Sequence, residues 1–203
     1  MTLDRLRPAF EGVIAPSVRL AQRVGLTPNR VTIVAFALAV GAGAVFGVAP
    51  RRGEPVWYLA GAALVAGNGF LDVVDGELAR ELGTGGPAGD MLDHVLDRYS
   101  DIAIVAGLAA GVDQWAVGFA AVTGVVMTSY LGTQAEAEGL DRVYAGFVGR
   151  ADRIALVVLA AVAAAFVTGP VAGFAVVTWL LVFFAVVGHL TAAQRFYYAY
   201  RAL

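Results

Sequence analysis

The sequence predicts an all-α integral membrane protein: six transmembrane helices preceded by an N-terminal amphipathic interfacial helix. Three observations carry this. The chain is 59% hydrophobic and only 15% charged, whereas a soluble domain is nearer a quarter charged. Its apolar residues gather into six long runs separated by polar turns. Its arginines are unevenly placed: in a six-span layout Arg51 and Arg52 lie alone on one side, and the other twelve lie on or near the opposite side.

With 203 residues there is room for one such domain. Residues 1–27 are expected to form the interfacial segment and residues 28–203 the six-helix transmembrane domain. There is no Cys, which excludes disulfides and thiolate metal sites. All 14 basic residues are Arg, and the net charge is −2. The high apolar content argues against a nucleic-acid partner. Asp4, Arg5, Arg7 and Glu11 precede any long apolar run, so no cleavable signal peptide is expected.

The elements follow in order. Leu3, Leu6 and Phe10, then Ile14, Val18 and Ala21, recur at helical spacing with arginines between them, as in an interfacial helix broken near Pro16. A frayed tail is the plain alternative. Thr27-Pro28-Asn29 reads as a helix start, with Thr27 as N-cap and Pro28 in the first helical position. Val31 to Val48 is the first span, and Val56 to about Leu71 the second. Glu81 to Gly89 holds four Gly and a Pro and is expected to be a loop. Met91 to Gly111 is the third span, and Trp115 to about Leu131 the fourth. Gly132 to Arg153 is the longest polar connection. Ile154 to Val167 is the fifth span, and Val171 to about Leu190 the sixth. An aromatic end from Phe196 to Tyr200 suits the membrane interface. The arginine count then places the termini, the Glu81–Gly89 loop and the long connection on the cytoplasmic face.

Chemistry concentrates between Asp72 and Asp97. Asp72 and Asp75 are three apart and share a helix face; Asp93 and Asp97 are four apart and share a face of the next helix. A short Gly-rich loop makes those helices antiparallel neighbours, so four carboxylates can converge. Four carboxylates that close repel and take up protons. Two hard divalent cations, Mg2+ or Mn2+, would hold them ionised through oxygen ligands. Two cations suit phosphoryl transfer, because they bind phosphate oxygens and stabilise the leaving group. Gly76 and Ala79 are small enough for close approach of a ligand, and Arg80 is placed to pair with a phosphate. Dipole complementation at a helix N-terminus would account for Asp90 and Asp93 without a ligand. It does not account for Asp97 a turn further in, nor for Asp72 and Asp75 near a helix C-terminus.

These residues resemble the CDP-alcohol phosphotransferases (CDP-alcohol phosphatidyltransferases). The family pattern is D-x2-D-G-x2-A-R-x8-G-x3-D-x3-D. Asp72, Asp75, Gly76, Ala79, Arg80, Gly89, Asp93 and Asp97 fill all eight of its fixed positions with the right gaps. The length, the six spans and the Thr27-Pro28-Asn29 start are also similar to that family. The resemblance implies displacement of CMP from a CDP-linked lipid by an alcohol hydroxyl. It implies that Asp72, Asp75 and Asp93 bind the metals, and that Asp97 completes the metal site and acts as general base. It places Asp72, Gly76, Ala79, Arg80, Gly89 and Asn29 around the CDP group. It implies a homodimer in the plasma membrane of a prokaryote, with its site facing the cytoplasm.

The acceptor is less legible. Ser129-Tyr130, Ala135-Glu136-Ala137 and Gly149-Arg150-Ala151-Asp152-Arg153 resemble the inositol-phosphate-using members, the phosphatidylinositol and archaetidylinositol phosphate synthases. Gly132 and Gln134 stand where those members have Arg. Arg142, Arg150, Arg153 and Arg195 are the candidates for a small phosphorylated polyol acceptor, since Arg is well shaped for phosphate. They also suit ordinary cytoplasmic anchors. Inositol 1-phosphate is the expected acceptor, with glycerol 3-phosphate or serine as alternatives. Asp101 continues the Asp93–Asp97 face one turn deeper, where it is expected to pair with an Arg or tune the site rather than act in catalysis, and His94 faces elsewhere. A divalent-cation transporter is the reading from another class, since intramembrane acids mark ion paths. It would put acids near the midplane of several spans, whereas here they gather at one end of two.

Overall fold

A computed structural model describes residues 7–140, 146–167 and 169–203, with side chains from residue 12 onward. The described residues form seven α-helices and no strand: α1 (Arg7–Arg23), α2 (Pro28–Arg52), α3 (Pro55–Leu82), α4 (Pro87–Gly111), α5 (Trp115–Ala137), α6 (Arg150–Phe166) and α7 (Val176–Ala202).

Proline and glycine set the first boundaries. Pro28, Pro55 and Pro87 each open a helix, where a missing N–H costs nothing. Gly53 and Gly83 close α2 and α3 in the left-handed conformation, at φ 68° and 61°, which a Cβ disfavours. The α3–α4 turn is therefore only residues 83–86. The loop expected over 81–89 is shorter, because Gly83 stops one helix and Pro87 starts the next. Gly89 consequently lies in the first turn of α4.

Other boundaries also move. α1 runs through Pro16 without a break. Proline removes one helical hydrogen bond, but Ile14, Val18 and Ala21 are buried with Val74 and Leu78 of α3, which holds the helix across it. α7 starts at Val176 rather than Val171. Val171 and Phe174 exchange backbone hydrogen bonds of 2.8 and 3.2 Å around Ala172 and Gly173, both at positive φ. α7 then continues through the aromatic end to Ala202.

α2 packs on α3 and α4, α4 on α5, α5 on α7, and α3 on α6. The closest crossings use small residues, as membrane helices commonly do. A Cβ on Gly43 or Gly107 would run into the backbone of α4 or α2 respectively, and one on Gly188 would meet Gly124 at 2.9 Å. Phe46, Val65, Leu108, Leu181 and Phe184 fill the space between helices.

Among the described residues four helices, α2, α3, α5 and α7, are long and apolar enough to cross a membrane. α4 matches them in length but carries Asp93, Asp97, Arg98 and Asp101. α6 has 17 residues, a length of about 26 Å at 1.5 Å per residue.

Candidate active site

The short 83–86 turn sets the end of α3 against the start of α4. Asp72 and Asp75 lie on α3 and Asp93 and Asp97 on α4, as their spacing predicts. One carboxylate oxygen from each of Asp72, Asp75 and Asp93 falls within 4.8 Å of the others. Asp75 Oδ2 and Asp93 Oδ1 are buried and have no hydrogen-bond partner among the described residues. Unsatisfied buried oxygens of this kind are costly. Oxygen-only ligands with unused lone pairs fit a hard divalent cation.

Asp97 lies outside this trio and is held differently. Arg150, the first residue of α6, places Nη2 at 2.6 Å from Asp97 and Nη1 at 2.6 Å from Asp72. One guanidinium thus ties α3, α4 and α6 together. Gly149 and Asp152 cap the helix beneath it, the Gly149 N–H donating to Asp152 at 3.0 Å. Arg98 adds a longer contact to Asp97 at 3.4 Å.

The remaining candidates distribute as follows. Gly76 lies under Arg80, whose Nη1 is 3.8 Å from where a Cβ would stand. Arg80 is exposed and pairs with Glu77 at 2.6 Å, with Ala79 beside it on α3. Asn29 Oδ1 is 3.4 Å from the Cβ position of Gly89, so the starts of α2 and α4 meet. Arg153 pairs with Asp101 at 2.8 Å, both nearly sealed from solvent. Asp101 is thus the arginine partner its position predicts. Arg195 is buried and donates to the Thr128 carbonyl at 2.8 Å. Arg142 lies outside the described residues. His94 Nδ1 contacts the Asp90 carbonyl at 2.6 Å.

Sequence reasoning passed over Asn68 and Thr32. Asn68 is buried one turn before Asp72. Its Nδ2 donates to the Ala35 carbonyl at 3.0 Å, and its Oδ1 has no partner among the described residues. Thr32 is buried beside Asp75. The signal for Asn68 was present: a polar side chain inside an apolar span is costly to keep and marks a position to test.

A family model for CDP-alcohol phosphatidyltransferase matches residues 25–191. The chain belongs to the CDP-alcohol phosphatidyltransferase family. It is therefore a transferase of phospholipid biosynthesis and an integral membrane protein. It is similar to the archaetidylinositol phosphate synthase of Methanothermobacter thermautotrophicus, at 31% identity over 206 residues, covering 99% of this chain and 95% of that protein. It is similar to the crystal structure of Mycobacterium tuberculosis phosphatidylinositol phosphate synthase with CDP-DAG bound, at 30% identity and TM-score 0.77, covering 93% of this chain and 94% of that one. The complex of the same mycobacterial enzyme with manganese and citrate matches at 29% identity and TM-score 0.79, covering 93% and 89%.

Proposed function

We propose that this enzyme transfers a phosphatidyl- or archaetidyl-type group from a CDP-linked lipid to inositol 1-phosphate, releasing CMP. The observation that carries the reading is the Asp72–Asp75–Asp93 cluster with its unpartnered buried oxygens, set inside the full eight-residue pattern. The inositol phosphate synthases among the relatives support the acceptor. They lend no support to glycerol 3-phosphate, to serine or to cation transport.

Asp72, Asp75, Asp93 and Asp97 would hold two divalent cations, Mg2+ or Mn2+; the manganese-bound relative supports a divalent metal. When bound, the cations supply charge stabilisation at the diphosphate and at the departing CMP. Asp72, Gly76, Ala79, Arg80, Gly89 and Asn29 hold the CDP group, with Arg80 toward the diphosphate. Asp97 accepts the proton of the acceptor hydroxyl. The acceptor oxygen bonds to the lipid-side phosphorus as the P–O bond to CMP breaks. Arg142, Arg150, Arg153 and Arg195 are the acceptor-phosphate set.

The layout belongs to the same proposal. α1, within residues 1–27, lies at the interface, and α2 to α7, within residues 28–203, provide six spans. The enzyme sits as a homodimer in a prokaryotic plasma membrane with its site toward the cytoplasm, as the arginine asymmetry supports. The test supplies purified protein with CDP-lipid, Mg2+ or Mn2+, and each acceptor in turn. CMP release that needs inositol 1-phosphate and a divalent cation is expected; release that depends on neither rejects the reading.

A further inference from the structure

Five carboxylates, Asp72, Asp75, Asp93, Asp97 and Asp101, share one region with three guanidiniums, Arg98, Arg150 and Arg153. With all of them ionised, the surplus over these described residues is two negative charges, the charge of one divalent cation. The geometry agrees. Three acids converge with oxygens to spare, while the fourth, Asp97, is turned onto Arg150. The same guanidinium takes Asp72 with its other terminal nitrogen. A second cation joining Asp97 to the trio would compete with that guanidinium for Asp72 and Asp97, and like charges at such range repel strongly in a half-dry site. Arg150 Nε is buried and has no partner among the described residues, so the guanidinium keeps donors for a phosphate beyond its two carboxylate contacts, and a doubly charged phosphate competes with both carboxylates for it.

We propose that Arg150 is an exchange residue. In the resting enzyme it bridges Asp72 and Asp97 and keeps the place of the second cation. When a monophosphate ester arrives, the guanidinium moves onto the phosphate. Asp97 is thereby released to a second cation and to the acceptor proton. Second-cation binding and acceptor binding then reinforce each other, since coupling between two sites is reciprocal. The arrangement also keeps Asp97 from activating water before an acceptor is present, which protects the CDP-lipid from hydrolysis. This rests on the two-cation reading above and on Arg150 belonging to the acceptor-phosphate set.

The test counts Mn2+ by electron paramagnetic resonance on the full chain in detergent, without CDP-lipid, with and without inorganic phosphate. Wild type is expected to hold one Mn2+ tightly and to gain a second about tenfold more tightly when phosphate is added. Arg150→Gln is expected to take the second Mn2+ tightly without phosphate and to gain nothing from it. Arg150→Lys, which keeps the charge but not the double bridge, is expected to fall between. Should Arg150→Gln lose the first site, and hence its fold, Arg150→Lys carries the same comparison. Two equal Mn2+ sites in phosphate-free wild type would overturn the exchange. So would a phosphate effect that survives in both Arg150 variants. Asp75→Asn separates the two readings: if it leaves the first Mn2+ in place, the metal assignment itself fails.

Discussion

Arg150 and Arg153 sit one turn apart on α6, and each meets an aspartate of α4, yet they are different devices. Arg153 meets one carboxylate, Asp101, in a contact sealed on both sides, with side chains 7% and 9% exposed. Arg150 is 16% exposed and divides itself between Asp72, at 29%, and Asp97, at 14%. A sealed one-to-one pair is neutral and shielded from solvent, which suits holding α4 and α6 in register, although Arg153 Nε has no partner among the described residues. A partly exposed guanidinium shared between Asp97 and one acid of the Asp72–Asp75–Asp93 cluster has the solvent access that the proposed exchange requires. The residue type is the same; the partner count and the access of solvent differ.

The largest expected effect separates the two aspartates. Asp97→Asn should lower CMP release by about 10²–10⁴-fold, the usual contribution of a general base, with thermal unfolding unchanged. Turnover retained in Asp97→Asn would remove its role as base. Asp101→Asn should do the reverse, lowering the unfolding temperature while the first Mn2+ site survives.

Next comes the sealed pair. Arg153→Ala leaves Asp101 buried and unpaired, and should destabilise the protein by about 3–5 kcal/mol. The double variant Arg153→Met with Asp101→Leu should recover most of that loss. Unfolding in detergent checks it, and a double variant as weak as the single one would mean that the pair does more than hold register.

A smaller effect is expected at the helix crossing. Gly107→Ala drives a methyl group into Gly43, at a cost of about 1–3 kcal/mol. Its Mn2+ affinity should stay unchanged, and a fall would show that the α2–α4 distance controls the site. The smallest effect on stability is expected at Arg80→Ala. The Arg80–Glu77 pair is exposed, so its loss should cost about 0–1 kcal/mol while KM for the CDP-lipid rises. An unchanged KM would remove Arg80 from the diphosphate.

Much of the acid cluster was legible because it is local. The three- and four-residue spacings of Asp72, Asp75, Asp93 and Asp97 assign helix faces, and Gly83 with Pro87 sets the turn that opposes them. The start at Thr27-Pro28 was legible for the same reason: proline acts through its own backbone. The break expected at Pro16 did not occur, because burial against α3 outweighed one lost hydrogen bond. The arginines were visible as residues, but their partners were not. Arg153 and Asp101 are 52 positions apart, and no helical period links them.

The amino-acid order by itself determined the helical membrane class, the eight-residue pattern and the placing of the acids at the facing ends of two consecutive helices, since each follows from short-range spacing, hydropathy or backbone chemistry. Tertiary structure alone decided that Asp97 answers to Arg150 while the other three acids close on one another, and that Arg153 pairs with Asp101. Those choices depend on where α6 docks against α3 and α4. That docking is set by the summed packing of residues such as Gly69 against Ile154, and no local stretch encodes it.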